Sequence, residues 1–359
     1  MSEALKLGEF LGGAAHTMKG RHFLSSADMD AAELKAVLNT AMALKAELKS
    51  GHSNQILAGK SLALVFEKPS LRTRLSFDVG MYQLGGRAMY LAPQEVGLGK
   101  REATKDVARV ISSMADGIVA RVFKHSDLQE LATYSKVPVI NGLSDLEHPC
   151  QILADLLTIQ ERFGYIAGLN MAYIGDGNNM AHSLALGAAL AGLNLTIITP
   201  PNYWPDEDLI SQARQLAAGK SYIKVTNTLA QGIQEADIIY TDVWASMGQE
   251  DQAADRHQIF IPYQINAELV AQAKPNALVL HCLPAHRSFQ SSRVFFSPVL
   301  RTAAHSLRPL CRIPLCHRRC ESSWRQALLF LPVRPPALPR HPPTQSGSHI
   351  RARYPVLLP

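Results

Sequence analysis

Short apolar runs alternate with helix-like stretches along the first 287 residues. The runs lie at 62–66, 88–91, 117–122, 137–140, 171–174, 193–198, 222–225, 236–240 and 277–281. The stretches between them carry apolar residues every three or four positions, which is typical of amphipathic helices. This rhythm predicts parallel sheets covered by helices.

The alternation predicts an α/β fold of two parallel-sheet domains followed by a tail. Residues 1–150 form the first predicted domain and residues 151–287 the second, and a helix that starts at Pro149 joins them. A length of 359 residues fits about two domains. Ligands bind at the carboxyl ends of the strands in open α/β sheets, so we expect the active site in the cleft between the domains.

The composition changes abruptly after Arg287. Residues 288–359 contain 11 Arg, no Lys and a single acid, Glu321, and eleven of the 21 prolines. The tail therefore carries a net charge of +10. Because the whole chain carries +6, residues 1–287 carry −4. The tail has the composition expected of a shifted reading frame. We therefore expect it to be extended or disordered rather than a third domain.

Bulk properties indicate a cytoplasmic protein. Apolar residues make up 47% of the chain, but no apolar run reaches the ~18 residues that a membrane span needs. The first twenty residues lack the basic, apolar and small-residue segments of a secretory signal. Only Cys150 and Cys282 precede the tail, so no disulfide framework is indicated.

The segment 67–77, EKPSLRTRLSF, follows an apolar run and leads into a helix-like stretch that begins at Ser76. A helix start exposes backbone N–H groups, and this one adds hydroxyls and the guanidiniums of Arg72 and Arg74. Each guanidinium can bind two phosphate oxygens in a fork. The structural alternative is a helix capped by Ser70, with arginines paired to surface carboxylates.

Four more motifs fall at predicted strand ends. His148 and Gln151 lie one turn apart at a helix start, where they would suit a carbonyl or carbamoyl group. Asp242 offers a carboxylate for an ammonium ligand, and Cys282 is either an inert buried thiol or a nucleophile that needs a base. The GDGNNM segment at 175–180 lacks the glycine spacing of a dinucleotide loop, so its asparagines suit a polar substrate.

In order and spacing, the segments SLRTR, NGLSDLEHPCQ, GDGNNM, DVWASMGQE and HCLPAHR resemble the ornithine carbamoyltransferase family. The resemblance covers about residues 17–287, and the DVWASMG loop separates it from aspartate-specific relatives. HCLPAHR is more similar to biosynthetic than to catabolic members. The resemblance implies carbamoyl transfer from carbamoyl phosphate to the δ-amine of L-ornithine, giving L-citrulline in arginine biosynthesis. It also implies a homotrimer without a metal or organic cofactor.

The resemblance further implies a role for individual residues. The phosphate would be bound by Ser70, Leu71, Arg72, Thr73 and Arg121. The carbamoyl group would be held by His148 and Gln151. Ornithine would be bound by Asn179, Asp242, Ser246 and Met247, with Cys282 and Leu283 closing over the reacting centre. The catalytic residues implied are Arg72, His148, Asp242 and Cys282.

Two features depart from the family pattern. Gly97 stands where members commonly carry a glutamine that reaches a neighbouring subunit, and Lys100 or Arg101 would have to replace it. After Arg287 the family continues with a strand and a final helix that supplies an arginine to the phosphate site. Arg325 is the tail arginine with a helix-like apolar context. We expect the fold of the first 287 residues without this closing element.

Other functions stay open. In one alternative, the carbamoyl group is transferred to another amine, such as putrescine or an acylated ornithine. In a second, the chain binds ligand without turnover. The basic tail would tether nucleic acid in a third alternative, but it lacks alternating basic and aromatic residues. The tail cluster of Cys311, Cys316, His317 and Cys320 does not match the usual spacing of zinc ligands. We therefore expect no nucleic-acid, membrane or metal partner.

Overall fold

The computed structural model describes residues 17–52, 54–245 and 253–285, which form two parallel sheets covered by helices. The strands are β1 (Ser61–Phe66), β2 (Arg87–Leu91), β3 (Gly117–Arg121), β4 (Val139–Leu143), β5 (Asn170–Ile174), β6 (Asn194–Ile198), β7 (Ile223–Thr226), β8 (Ile238–Thr241) and β9 (Leu278–His281). The predicted α/β fold of two parallel-sheet domains is confirmed.

Eleven α-helices lie in the described part of the chain. They are α1 (Ala31–Lys49), α2 (Leu71–Gln83), α3 (Pro93–Val96), α4 (Thr104–Met114), α5 (His125–Tyr134), α6 (Pro149–Phe163), α7 (Asn179–Ala191), α8 (Glu207–Ala217), α9 (Ala230–Ile233), α10 (Ala253–Phe260) and α11 (Ala267–Ala271). Short 3₁₀ turns lie at Ser26–Asp28 and Ile261–Tyr263. The sequence pattern did not predict α10.

The strand order brings the carboxyl ends of the strands together in each sheet. The first sheet has the order β2-β1-β3-β4 and the second the order β7-β6-β5-β8-β9, and all neighbouring strands are parallel. Phe66 at the end of β1 lies opposite Arg121 at the end of β3. Thr241 at the end of β8 lies opposite His281 at the end of β9. The loops that follow these strands therefore begin side by side.

Helix α6 packs against both halves of the molecule. Its side chains Leu153, Leu156 and Leu157 are buried in one apolar core that contains Phe77 of α2 and Leu184 of α7. Two further apolar cores cover the other faces of the two sheets. Truncating a buried leucine to alanine typically costs about 2–5 kcal/mol, so α6 is a stabilising element shared by the two sheets.

Caps explain where the two helices near the predicted site begin. The Ser70 hydroxyl accepts a hydrogen bond from the backbone N–H of Thr73 at 3.3 Å, so α2 begins five residues earlier than the predicted start at Ser76. Helix α6 has Pro149 in its first turn, as predicted, and ends at Gly164 with a φ of 83°.

Several predictions concern residues outside the described ranges. These are Ser246, Met247, Arg287, Arg325 and the tail 288–359, so the predictions made for them stay predictions. The predicted domain boundaries also stay predictions, although β1 to β4 precede α6 and β5 to β9 follow it. Within the described ranges, no helix has both the length and the apolar character needed to cross a membrane.

Helices α6 and α7 approach closely at Gly187. A Cβ added there would lie 2.4 Å from Cγ1 of Ile152, well inside van der Waals contact. Alanine is favoured over glycine by about 1 kcal/mol in a helix interior, whereas overpacking a core costs about 1–3 kcal/mol. We expect Gly187→Ala to lower the free energy of unfolding by up to about 2 kcal/mol in urea denaturation.

The matched control is the same substitution in an Ile152→Ala background. Without the Ile152 side chain, the steric cost disappears and only the helix propensity of alanine remains. Gly187→Ala should then be neutral or stabilising by up to about 1 kcal/mol. An equal loss of stability in both backgrounds would show that this contact is not the cause.

Candidate active site

The first half of the candidate site lies where β1 and β3 end. Ser70 donates a hydrogen bond from its hydroxyl to Oγ1 of Thr73 at 2.9 Å, and Thr73 is buried. Arg121 ends β3 and is 7% exposed, and its Nε has no hydrogen-bond partner among the described residues. Because buried donors are nearly always paired, this guanidinium points to an anionic ligand.

Positive charge is concentrated at this edge of the first sheet. Burial and the neighbouring charge of Arg72 lower the pKa of Arg121 to about 10, so the Arg121 guanidinium is protonated at neutral pH. Arg74, in contrast, stacks over the Tyr90 ring at 4.0 Å from its centroid and is engaged on the surface of α2. Leu71 is largely exposed at the start of α2 and offers a backbone N–H. The arrangement suits a phosphate group.

His148 stands at the start of α6, between the two sheets. Its backbone N–H donates to the Ser183 hydroxyl of α7 at 2.8 Å. Burial, and then the positive charge of Arg121, hold the pKa of the His148 imidazole well below its usual range. His148 is therefore a neutral group at physiological pH that can donate a hydrogen bond without adding charge.

Gln151, one turn further along α6, has one side of its amide fixed. Its Nε2 donates to Oδ1 of Asp155 at 3.1 Å. The remaining amide atoms lie at a half-buried position beside His148, at the N-terminal end of α6. The two predicted carbamoyl-binding residues are thus brought together by one helical turn.

The second half of the candidate site lies where β8 and β9 end. The Asp242 carboxylate is buried and accepts hydrogen bonds from Nδ2 of Asn178 at 3.0 Å and from the thiol of Cys282 at 2.7 Å. The backbone N–H of Val243 donates to it at 2.7 Å. These three donors fix the carboxylate, which provides a preorganised acceptor for an ammonium group.

Cys282 is a protonated thiol in this setting. Burial, and then the negative charge of Asp242, raise the pKa of the thiol well above its usual range. A thiol rather than a thiolate faces Asp242, so nucleophilic attack by Cys282 is disfavoured.

Two predicted positions have other contacts, and two lie outside the described residues. Asn179 donates from Nδ2 to the backbone carbonyl of Ser144 at 2.8 Å and so connects α7 to the loop before α6. Leu283 is partly exposed with a φ of 61°, and its N–H donates to Nδ1 of His281 at 2.9 Å. Ser246 lies outside the described residues, together with Met247. Asn178, rather than its neighbour Asn179, contacts Asp242.

Gly97 closes helix α3 in the left-handed region, with a φ of 57°. A Cβ at this position would lie 2.5 Å from Cβ of Arg101, so a glutamine would not fit here without a shift of the loop. Arg101 donates from Nη1 to the backbone carbonyl of Glu95 at 2.6 Å. Of the two predicted substitutes for the family glutamine, Arg101 is therefore bound to its own loop, while Lys100 is exposed.

One group of side chains has the composition of a metal site. Asp242, His281 and Cys282 each offer a ligand atom, and these atoms lie within 4.8 Å of one another. Hydrogen bonding already joins the Cys282 thiol to Asp242, and a zinc ligand would need the thiolate instead. That the chain uses no metal stays a prediction.

Besides Asn178, sequence reasoning missed Asp155 and Tyr240, which contact each other beside the site. Asp155 lies four residues after Gln151, on the same face of α6, and Tyr240 lies two residues before Asp242 on β8. Helical spacing and strand alternation would have indicated both. Tyr240 donates from its hydroxyl to Oδ2 of Asp155 at 2.8 Å, so the pair connects α6 with the second sheet.

Comparison with known proteins identifies the family. The carbamoyl-P binding domain of aspartate/ornithine carbamoyltransferases matches residues 21–161, and the Asp/Orn binding domain of the same family matches residues 167–300. An ornithine carbamoyltransferase of Thermococcus kodakarensis is 50% identical over 273 residues, covering 76% of this chain and 86% of the relative. The chain belongs to the aspartate/ornithine carbamoyltransferase family.

Further relatives agree in sequence and in structure. An anabolic ornithine carbamoyltransferase of Pyrococcus furiosus is 48% identical over 273 residues, covering 76% of this chain and 86% of the relative. A solved structure of ornithine carbamoyltransferase from Pyrococcus furiosus matches with a TM-score of 0.79 and 43% identity, covering 88% of this chain and 97% of that one. The family predicted from the five motifs is confirmed.

The protonated state of Cys282 is testable by alkylation. In Asp242→Asn, the charge that raises the pKa of the thiol is removed, so the thiolate fraction should increase. We expect iodoacetamide to modify Cys282 several-fold faster at pH 8 in this variant than in the unaltered chain, as measured by peptide mass spectrometry. Cys150 is fully buried and should stay unmodified in both. An unchanged rate at Cys282 would contradict the electrostatic explanation.

Proposed function

We propose that this chain transfers the carbamoyl group of carbamoyl phosphate to the δ-amine of L-ornithine, giving L-citrulline and phosphate, as a step of arginine biosynthesis. The observation that carries the proposal is the buried guanidinium of Arg121, whose Nε is unpaired within the described part of the chain, beside Arg72. Membership of the family and the names of the relatives support the choice of reaction. The chain would use no metal or organic cofactor.

Stabilisation of negative charge on the carbamoyl oxygen would supply much of the catalysis. As the amine attacks the carbamoyl carbon, this oxygen gains charge, and Arg72, Thr73 and His148 would donate hydrogen bonds to it. Preorganised donors of this kind are typically worth about 3–4 kcal/mol each. A neutral His148 suits this role, since it acts as a dipole close to the two guanidiniums. The bond between the carbamoyl carbon and the phosphate oxygen would then break, and phosphate would leave towards Arg121, Ser70 and the N-terminus of α2, with the proton that the neutral amine loses carried away on phosphate.

The amine would be bound on the side of the second sheet. Asp242 would orient the ammonium-bearing substrate, with Asn179, Ser246, Met247 and Leu283 completing its pocket. Cys282 would orient the attacking nitrogen as a hydrogen-bonding thiol, because its raised pKa disfavours a role as an anionic base. Gln151 would hold the NH₂ group of the carbamoyl donor.

A homologue that binds ligand without turnover is the second candidate. The contacts of Gly97 favour it, since the backbone and Arg101 leave no room for a glutamine at this position. The composition of residues 288–359, which differs from that of the preceding chain, favours it as well. Both features affect the phosphate side of the proposed site.

The two candidates differ in citrulline formation. We expect the full chain to form citrulline from ornithine and carbamoyl phosphate more slowly than a chimera in which residues 288–359 are replaced by the C-terminus of a family relative. The reason is that the chimera regains the late phosphate-site arginine that the resemblance implies. Putrescine should be a poor acceptor for either protein.

The outcomes of this comparison separate the candidates. Activity in both proteins supports the enzyme as it stands, and activity in the chimera alone would assign the impairment to the tail. If neither protein forms citrulline but the full chain still binds inorganic phosphate, the binding-only candidate is favoured.

We also propose that the chain assembles as a homotrimer through α2. Four apolar side chains on this helix recur at spacings of four, four and three residues, and solvent reaches a large part of each. They are Leu71 (76% exposed), Leu75 (49%), Val79 (40%) and Tyr82 (80%). Such a stripe is typical of a surface that a neighbouring subunit covers, and α2 carries the phosphate-site residues at its start.

The assembly is tested by light scattering after size exclusion. The double variant Val79→Lys with Tyr82→Lys places two charges on the stripe, so we expect a fall from a trimeric to a monomeric mass. Tyr165→Lys is the matched control, because Tyr165 is also more than half exposed but lies between α6 and β5. A monomeric mass for the unaltered chain, or a trimeric mass for the double variant, would contradict the proposal.

We further propose a cytoplasmic location. Cys150 and Cys282 are both free thiols, which is usual in a reducing compartment. Fractionation of cells that express the chain, with marker enzymes for each compartment, would check this location.

A further inference from the structure

A buried carboxyl group lies directly behind the proposed carbamoyl-binding residue. Asp155 is buried on α6 and has two hydrogen-bond partners, one on each oxygen. Oδ1 accepts from Nε2 of Gln151 at 3.1 Å, and Oδ2 accepts from the hydroxyl of Tyr240 at 2.8 Å. Burying a carboxyl group is costly, and Asp155 has no place in the reaction described above.

Ionised Asp155 can only accept hydrogen bonds, and this restricts the amide of Gln151. A carboxylate offers no donor, so Gln151 must turn its NH₂ group towards it. Oε1 of Gln151 then faces away from Asp155 and receives no hydrogen bond from the described residues. The two orientations of a glutamine amide have nearly the same shape, so the hydrogen bond to Asp155 is what distinguishes them.

The orientation decides which ligand group Gln151 can bind. With the carbonyl oxygen directed away from Asp155, Gln151 accepts a hydrogen bond from an NH₂ group. With the amide reversed, Gln151 would present its own NH₂ group, and two donors would face each other. The carbamoyl group of carbamoyl phosphate carries an NH₂ group, whereas inorganic phosphate does not.

We propose that Asp155 is a positioning residue that fixes the amide of Gln151, through a contact that Tyr240 supports, so that the site selects carbamoyl phosphate over inorganic phosphate. This role rests on the proposed function. It assigns Asp155 to ligand discrimination rather than to the chemical step. Tyr240 comes from β8, two residues before Asp242, so the same contact connects the carbamoyl side of the site to the ornithine side.

The role depends on the charge of Asp155. Burial, which is the largest effect, and the neighbouring Asp242 carboxylate raise the pKa of Asp155 to about 7, against the hydrogen bonds from Tyr240 and Gln151 that lower it. Tyr240 stays a donor because burial raises the pKa of its phenol, and the other titratable neighbour, Cys282, stays a neutral thiol. Below about pH 7, protonated Asp155 can donate to Oε1 of Gln151 and reverse the amide.

Asp155→Asn tests the proposal in the full chain. The Tyr240 hydroxyl will donate to the carbonyl oxygen of the new amide, so the NH₂ group will face Gln151 and reverse it. We expect calorimetry at pH 8 to show roughly tenfold weaker binding of carbamoyl phosphate, as expected when one hydrogen bond is lost. Binding of inorganic phosphate, which does not reach Gln151, should be unchanged.

The pH profile separates this role from a structural one. In the unaltered chain, the carboxylate form is lost as the pH falls through about 7. The factor by which the unaltered chain binds carbamoyl phosphate more tightly than Asp155→Asn should therefore be largest at pH 8 and shrink towards pH 6. Because the ratio compares the same ligand on two proteins, protonation of the ligand itself cancels.

A second variant and a second background serve as controls. Tyr240→Phe keeps the carboxylate but removes a hydrogen bond that lowers the pKa of Asp155. The pH below which carbamoyl phosphate binding weakens should therefore rise. In a Gln151→Ala background, Asp155→Asn should have no further effect on carbamoyl phosphate, because no amide remains to be oriented.

Each outcome supports or overturns the proposal. A selective loss of carbamoyl phosphate that disappears in the Gln151→Ala background supports it. Equal losses for both ligands, or an undiminished effect in that background, would overturn it by showing a structural role. If the unaltered chain binds carbamoyl phosphate no better than inorganic phosphate and forms no citrulline, the proposed function itself fails.

Discussion

The burial of helix α6 between the two sheets is the constraint on which the rest of the site depends. Its leucines belong to an apolar core that continues from the first sheet to the second, so the helix cannot rotate without exposing them. The polar residues in its first turns are therefore fixed as well. His148, Gln151 and Asp155 follow one another along the start of this helix, at the carboxyl edges of both sheets.

Desolvation sets the charge of each group in the site. Arg121 stays positive because even a strongly lowered guanidinium pKa lies above neutral pH, whereas the imidazole of His148 loses its charge. The thiol of Cys282 keeps its proton because burial and Asp242 both oppose a thiolate. The result is a positive edge on the first sheet, a fixed carboxylate on the second and neutral donors between them. This distribution matches an anionic carbamoyl donor and an ammonium-bearing acceptor.

The sequence allowed the fold and the positions of the motifs to be predicted, because buried parallel strands read as apolar runs and their ends carry the loops. It did not predict α10, whose buried face includes Arg256. This side chain is bonded to Asp176 and to the backbone carbonyl of Trp244, so a polar residue breaks the apolar period.

The contacts within the site were harder to predict than its members. Tyr240 and Asp155 are 85 residues apart, and Asn178 and Asp242 are 64 apart, so their pairing depends on how α6 and α7 pack on the second sheet. Ser70 illustrates the opposite case, since its capping role is local and was among the alternatives that the motif itself indicated. Local hydrogen bonds can be anticipated from spacing, whereas contacts between distant elements require the packed structure.

We expect the phosphate side and the ornithine side to face one another across a single cleft. Calorimetry with a molecule that joins a phosphonate to the δ-nitrogen of ornithine through an acetyl group tests this most directly. If the two half-sites form one site, this molecule binds with one equivalent per chain and far more tightly than phosphonoacetate or ornithine alone, because the second contact becomes intramolecular. If the joined molecule binds no more tightly than the tighter of phosphonoacetate and ornithine, the two half-sites do not form one site.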